Sequence, residues 1–270
     1  MKLFFVSDIH SHYDKTIEAL NNVGYDENNP NHLLIVVGDI FDRYTQTIEV
    51  YKWLFRLTKE NKAIVLSGNH HKFLIDFLEG SINPWNYMHN GLRDTIADFW
   101  HRTLPFESWC MIEGNCLLTD MTQEMYAKWA RICRNDINKE YPELLPWLKS
   151  MPRYFESKSI IATHGALDLK VPDWHNPHCY RGSLLDWDAL DFDDGSFIKC
   201  KNTTGKTIVL GHFNTGSLRE MNGLGDSDDY SILITDDNKV FIDGCVVLTK
   251  KVNVYVVEDE LLEVKNELEV

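Results

Sequence analysis

The chain has 270 residues, of which 44% are hydrophobic and 25% charged, a composition typical of a folded protein with a sizeable core. Its formal net charge of −14 disfavours non-specific binding to nucleic acid or anionic membranes, because both need surplus Lys and Arg. No run approaches the roughly 20 apolar residues of a membrane span, and the opening MKLFFVSD is too short for a signal peptide. We therefore expect a soluble cytoplasmic protein that binds neither nucleic acid nor membranes.

The first eighty residues alternate between strand and helix patterns. KLFFVSD, HLLIVVGD and KAIVLSGN are apolar runs that predict strands. Between them, SHYDKTIEALNNV and TQTIEVYKWLFRLTKEN carry apolar residues at helical spacing. This order predicts a parallel sheet with crossover helices.

The predicted secondary structure changes twice in the rest of the chain. From about residue 84 to 150, tryptophans and helical patterns predict a helical cap inserted over one edge of the sheet. Strands return in SIIATHG, KTIVLGH, YSILITDD, KVFIDG and KVNVYVVED, and the short turns between the last three predict antiparallel pairing. We predict a single domain over residues 1–270, an α/β fold with a two-sheet mixed β sandwich flanked by helices.

Polar side chains follow five apolar strands at the point where each ends, in SDIHSH, GDIFDRY, SGNHHKF, THGAL and GHFNT. In α/β sheets, ligands bind beyond the carboxyl ends of the strands, so we expect these side chains to converge. Asp8 and His10 are two residues apart and point to the same side of an extended chain. Mixed carboxylate and imidazole ligands suit manganese, iron or zinc, and a carboxylate such as Asp39 can bridge two metals.

Each of these motifs also has an ordinary structural explanation. A D-x-H after a strand is commonly a turn or a cap, and G-N-H is commonly a turn with glycine at positive φ. The joint occurrence of five such strand ends, each with a plausible ligand, favours a metal site over five unrelated turns.

Together the motifs resemble the calcineurin-like metallophosphoesterase superfamily. The closer resemblance is to its phosphoprotein phosphatase branch of the bacterial and phage type, whose pattern is G-D-x-H-G, G-D-x-x-D-R-G, G-N-H-E, H-G-G and G-H. Weaker agreement continues in LKSMPRYF and FIDGCVV, so the resemblance spans residues 5 to 247. This chain departs from the pattern at Ser11 and Tyr44, where the family usually has Gly, and at His71, which replaces Glu. We expect His71 to face solvent or the surroundings of the site.

The resemblance implies two divalent metal ions, Mn²⁺ or alternatively Fe or Zn. One metal would be held by Asp8, His10 and Asp39. The other would be held by Asp39, Asn69, His164 and His212. The metals would neutralise the phosphate and generate a bridging hydroxide that attacks phosphorus directly.

The resemblance also implies roles in substrate binding and proton transfer. His70 would be the general acid, and Asp42 would orient it. The residues implied to contact the substrate phosphate are Arg43, Asn69 and, in the less well aligned segment CYRGSLLDW, Arg181. A planar guanidinium suits this task because it matches two phosphate oxygens at once.

These assignments predict a metal-dependent phosphomonoesterase acting on phosphoserine and phosphothreonine proteins, or on a small phosphate ester. One alternative is a dinucleoside polyphosphate hydrolase of the diadenosine tetraphosphatase type, and a phosphodiesterase is another. A non-catalytic binding protein with the same fold would have lost a ligand or the general acid. Every one of these positions is filled here.

Overall fold

The computed structural model describes residues 1–81, 90–101, 111–112, 115–116, 123–167, 169, 174–175 and 196–261. Its strands are β1 (Lys2–Val6), β2 (His32–Val37), β3 (Ala63–Leu66), β4 (Met111–Ile112), β5 (Asn115–Cys116), β6 (Tyr154–Glu156), β7 (Ile160–Thr163), β8 (Thr207–Leu210), β9 (Leu233–Ile234), β10 (Lys239–Phe241) and β11 (Tyr255–Glu258). Its helices are α1 (Tyr13–Asn22), α2 (Thr47–Lys59), α3 (Asn69–Glu79), α4 (Leu92–Trp100), α5 (Gln123–Glu140), α6 (Leu144–Lys149), α7 (Ser196–Lys199), α8 (Thr215–Asn222) and α9 (Val246–Thr249).

Two mixed sheets carry the fold, as the sequence predicts. The first has the strand order β11-β1-β2-β3, in which β1, β2 and β3 are parallel and β11 is antiparallel to β1. The second has the order β6-β7-β8-β10-β9, in which β7, β8 and β10 are parallel and the two outer strands are antiparallel. The strands β4 and β5 form a separate short hairpin.

The predicted antiparallel series at the end of the chain is only partly correct. β9 and β10 pair antiparallel in the second sheet, but β11 crosses to the first sheet, where Leu3 faces Val257. A short helix, α9, lies between β10 and β11, so these two strands do not form a hairpin. β11 therefore covers the open edge of β1.

Alternate residues of the strands face different layers. Leu3 and Phe5 point between the two sheets, where they pack with residues such as Val209 and Ile242. Phe4 and Val6 point the other way, towards helices α1 to α6. The far side of the second sheet packs against α7 and α8. Strands buried on both faces explain why the sequence shows continuous apolar runs rather than alternation.

The described part of the segment predicted as a helical cap is helical except for the short hairpin of β4 and β5. α4, α5 and α6 place apolar side chains in the same core as α1 to α3, with Ile96, Phe99 and Ile137 fully buried. None of the helices in the described ranges is long and apolar enough to cross a membrane.

Candidate metal centre

The carboxyl ends of parallel strands from both sheets meet at one end of the sandwich. β1, β2 and β3 lead to Asp8, Asp39 and Asn69, and β7 and β8 lead to His164 and His212. Hydrogen bonds join these ends across the two sheets: the His212 N–H donates to Asp8 Oδ2 (2.9 Å), and the His164 ring contacts the Val37 carbonyl through Nδ1 (3.0 Å). The donor cluster is the set of side chains gathered here: Asp8, His10, Asp39, Asn69, His164 and His212.

Two overlapping sets of three side chains could each hold a metal ion. One set is His10, Asp39 and His70, and the other is Asp39, His164 and His212; within each, the ligand atoms lie within 4.8 Å of one another. Asp39 belongs to both sets, the position expected of a carboxylate that bridges two cations. Asn69 Oδ1 lies 2.9 Å from His164 Nε2 and 3.1 Å from His212 Nδ1, so a neutral oxygen completes the second set.

Hydrogen bonds outside the donor cluster orient two of its imidazoles. His10 Nδ1 lies 2.9 Å from the Phe41 carbonyl, and His164 Nδ1 lies 3.0 Å from the Val37 carbonyl. A carbonyl only accepts, so each Nδ1 carries the proton that is donated. Nε2 of each ring is left to face the cluster, which is the usual arrangement for a histidine that ligates a metal.

The charges in the donor cluster are strongly coupled. Burial works against ionisation of Asp39, yet His164 and His70 hold its pKa well below its usual range. Burial also opposes a charge on His164, but Asp39 and Asp8 raise the pKa of His164 to about 9. Burial and the charge of His164 lower the pKa of His212 to about 3. The proton on His164 thus supplies positive charge opposite Asp39, and metal binding displaces such ligand protons.

The backbone of the donor cluster is strained. Four of its members adopt left-handed backbone conformations: Asp8 (φ 49°), His10 (φ 40°), Asp39 (φ 41°) and His212 (φ 69°). Such conformations cost about 1 to 3 kcal/mol for a residue other than glycine and concentrate at functional sites. Packing elsewhere in the protein must offset this cost in stability. The strained conformations therefore indicate that these residues are kept for a functional site and not for the stability of the fold.

Glycines precede three of the six cluster residues, Asp39, Asn69 and His212, because the backbone segments approach one another closely. A Cβ on Gly68 would overlap Asp39 Oδ1 and lie 2.8 Å from the Asp39 backbone nitrogen. A Cβ on Gly211 would lie 2.5 Å from Asp8 Oδ2, and one on Gly38 would lie 2.8 Å from His164 Cβ. The repeated G-D, G-N-H and G-H signatures therefore have a packing cause.

We expect Gly68→Ala to lower kcat/KM by about 100-fold, because the added methyl group would push Asp39 aside and a misplacement of about 1 Å in an active site can have an effect of this size. Gly68 has a φ of −124°, so the substitution adds a steric clash without backbone strain. Gly223→Ala is the matched control: among the described residues nothing lies within 4 Å of its added Cβ, while its φ of 63° costs stability alone. Initial rates and melting temperatures of both variants check this, and a Gly68→Ala rate equal to that of Gly223→Ala would contradict it.

His70, Asp42 and Thr95 form a buried chain of hydrogen bonds beside the donor cluster. His70 Nδ1 lies 2.7 Å from Asp42 Oδ2. The Thr95 hydroxyl donates to Asp42 Oδ1 (2.6 Å) and accepts from the Asp42 backbone N–H (2.9 Å). The carboxylate thus fixes the orientation of the imidazole, and Thr95 fixes that of the carboxylate.

Arg43 lies where the donor cluster meets solvent. Its two terminal nitrogens lie 3.1 Å from His10 Nε2 and 2.9 Å from His70 Nε2. Its backbone is left-handed (φ 67°), and its N–H donates to the Gly91 carbonyl (3.4 Å). Because Arg43 is exposed beside the donor cluster, its guanidinium can bind an incoming anion without a rearrangement of the hydrophobic core.

Two departures from the family pattern have structural explanations. His71 is buried, not solvent-facing, and its Nδ1 accepts the Gly68 N–H (2.9 Å) at the start of α3. Ser11 keeps the positive φ (59°) usual for glycine, and its hydroxyl contacts that of Thr47 (2.9 Å). Neither substitution disturbs the donor cluster.

Sequence reasoning assigned no role to two side chains beside the site. Thr95 comes from helix α4, and a threonine within an apolar helical pattern carries no signal that it will meet Asp42. Asp243 is buried, and burial together with Asp8 raises its pKa well above the usual range. Its motif, FIDGCVV, belongs to the resemblance, so the sequence did point to this one. Arg181, the second predicted phosphate ligand, lies outside the described residues.

The sequence matches a family model and several curated proteins. The calcineurin-like phosphoesterase model matches residues 1–235. The asymmetrical bis(5′-nucleosyl)-tetraphosphatase PrpE of Oceanobacillus iheyensis is 32% identical over 105 residues, which are 37% of this chain and 41% of that protein. The enzyme of the same name from Bacillus subtilis is 33% identical over 99 residues, 34% of this chain and 39% of that protein. The match thus spans about two fifths of these relatives.

Solved structures share the fold over nearly the whole chain. A protein provisionally assigned as a diadenosine tetraphosphatase aligns with a TM-score of 0.55 and 14% identity, covering 94% of this chain and 88% of that one. A cold-active protein tyrosine phosphatase aligns with a TM-score of 0.51 and 17% identity, covering 95% of this chain and 73% of the other. At these identities the likeness concerns the fold alone.

Proposed function

The chain belongs to the calcineurin-like phosphoesterase family, and from this premise we propose that it is a dimetal hydrolase of dinucleoside polyphosphates. The family uses a dimetal centre. The single observation that carries the catalytic part of the proposal is the position of Asp39, which is shared by two sets of metal-binding side chains. The substrate class is supported by the tetraphosphatases that resemble the chain over part of their length.

We assign the metal ligands as the sequence predicts. Their donor chemistry fits, since Asp39 and the three imidazoles belong to the two metal-binding sets and the Asn69 oxygen lies beside two of those imidazoles. Asp8 belongs to neither set and is assigned from the resemblance, and its Oδ2 accepts the His212 N–H. The assigned ligands are Asp8, His10, Asp39, Asn69, His164 and His212. Two divalent cations, when bound, neutralise phosphate charge and lower the pKa of a coordinated water. Manganese, iron and zinc all suit these ligands.

The protein side chains then have separate tasks. Arg43, which already lines the donor cluster, binds oxygens of the scissile phosphate. His70, held by Asp42 at 2.7 Å, delivers a proton to the departing oxygen. Water oxygen becomes bonded to phosphorus, and the bond from phosphorus to the leaving oxygen breaks. Asymmetrical cleavage of a tetraphosphate yields one nucleoside triphosphate and one nucleoside monophosphate.

A substrate panel tests the proposal. The full chain is freed of metal with a chelator, reloaded with Mn²⁺, Fe²⁺ or Zn²⁺, and assayed on diadenosine tetraphosphate, a phosphoserine peptide, p-nitrophenyl phosphate and its bis-ester. We expect the highest kcat/KM with diadenosine tetraphosphate and equal amounts of ATP and AMP as products.

Each other outcome of this panel identifies a different function. Preference for the phosphopeptide would establish the protein phosphatase activity, which stays a prediction from the resemblance alone. Preference for the bis-ester would indicate a phosphodiesterase. No hydrolysis with any metal would indicate a binding protein and would overturn the proposed function.

A further inference from the structure

Tyr44 replaces a glycine of the family pattern and lies at the edge of the site. It directly follows Arg43, whose guanidinium contacts His10 and His70. Consecutive Cα atoms are only 3.8 Å apart, so the Tyr44 backbone adjoins the position assigned to the substrate phosphate. About 38% of the Tyr44 surface is exposed, a large value for an aromatic side chain next to a catalytic group.

The Tyr44 ring rests on a fixed base. It stacks on the His12 ring with centroids 4.0 Å apart and an angle of 12° between the planes. His12 is almost fully buried, and its Nδ1 lies 2.8 Å from the His10 carbonyl. Because His12 is held by the loop that also carries a predicted metal ligand, the Tyr44 ring is positioned relative to the donor cluster.

A positively charged side chain lies near the same ring, and two exposed apolar residues shortly precede it in the chain. Lys250 Nζ lies 5.8 Å from the centre of the Tyr44 ring. Val247 and Leu248, which shortly precede Lys250, are 36% and 66% exposed. The chain as a whole has a net charge of −14, but two cationic residues, Arg43 and Lys250, lie at the edge where the Tyr44 ring is exposed. This edge therefore favours the binding of an anion that also has an apolar part.

We propose that Tyr44, supported by His12 and flanked by Lys250, stacks against the base of the nucleotide whose phosphate is bound by Arg43. This inference rests on the proposed function and adds the source of its preference for nucleotides. A base has an extended aromatic face, and stacking on an aromatic side chain is tolerant of which base it is. Alkyl phosphate esters lack that face, so Tyr44 separates nucleotides from them.

The test compares KM for diadenosine tetraphosphate with KM for glycerol phosphate, an alkyl ester without an aromatic ring, in the full, manganese-loaded chain. We expect Tyr44→Ala to raise the KM for diadenosine tetraphosphate about tenfold relative to the KM for the small ester, which is the effect of losing one base stack. Tyr44→Phe keeps the aromatic ring, so its ratio of KM values should equal that of the parent chain. Lys250→Ala should raise KM for the tetraphosphate by a smaller factor, and Lys251→Ala, which removes an exposed neighbouring charge, is its matched control.

Binding of AMP, measured by titration calorimetry, reports the base site without turnover, and its Kd should rise with Tyr44→Ala in the same proportion. An unchanged KM ratio and an unchanged Kd for AMP would overturn the base site while leaving the proposed function intact. Failure of the parent chain to cleave diadenosine tetraphosphate would instead overturn the proposed function. The two failures are distinguishable, because the activity of the parent chain is measured without any Tyr44 variant.

Discussion

Asp39→Asn is expected to lose bound metal and activity together, with kcat falling about 10³-fold. Asp39 is the one carboxylate common to both sets of metal-binding side chains among the described residues. An amide of the same shape can still accept the hydrogen bond from the His70 backbone N–H, which lies 3.1 Å from Asp39 Oδ1, but it has no charge to bind two cations. Loss of a metal that stabilises transition-state charge removes several kcal/mol, and each 1.36 kcal/mol is about tenfold in rate.

Metal content per chain after manganese loading and desalting, measured with kcat on diadenosine tetraphosphate, checks this expectation. Asp14→Asn is the matched control, because it removes one exposed carboxylate from α1, outside the donor cluster. It should keep the metal content and rate of the parent chain. An Asp39→Asn variant that binds two metals and turns over at the parent rate would refute the assigned bridging position.

His70→Ala is expected to lower kcat by about 10²- to 10⁴-fold on an alkyl phosphate such as glycerol phosphate, the usual contribution of a general acid. An alkoxide is a poor leaving group and needs a proton, and we assign its donation to His70, whose ring Asp42 orients. The loss should be smaller with p-nitrophenyl phosphate and with diadenosine tetraphosphate, because their leaving oxygens depart as stable anions. The two assigned metals should remain bound.

The metal content of this variant distinguishes two roles for His70. His70 Nε2 lies near His10 and Asp39 in one of the two possible metal-binding sets, so it could act as a ligand instead. Loss of one metal ion with equal effects on all three substrates would establish that role and exclude the general acid. His101→Ala, an exposed histidine at the end of α4, is the control for the loss of an imidazole.

Asp42→Asn gives a second view of the same proton transfer. The carboxylate stabilises a protonated imidazole by charge, whereas the amide keeps the shape but not the charge. We expect it to reproduce part of the His70→Ala loss on glycerol phosphate and to leave metal content unchanged.

The sequence by itself determined the layers of the fold and the place of the site. Its apolar runs are long enough for strands buried on both sides, and its alternation of strands and helices requires parallel pairing. The strands deliver Asp8, Asp39, Asn69, His164 and His212 at their carboxyl ends, and all five lie in one cluster. Strand direction ensured this within each sheet, because parallel strands end at the same side of a sheet, and the packing of the two sheets brought the two groups of strand ends together.

Only the tertiary structure decided the contacts between segments that are distant in sequence. Thr95 meets Asp42 across 53 positions, and β11 pairs with β1 from the opposite end of the chain. Helical periodicity indicates which face of α4 is buried but not which loop that face meets. His71 and Tyr44 show the same limit: one is buried at a helix start and the other stacks on His12, because packing of neighbouring loops, and not local pattern, sets the exposure of a side chain.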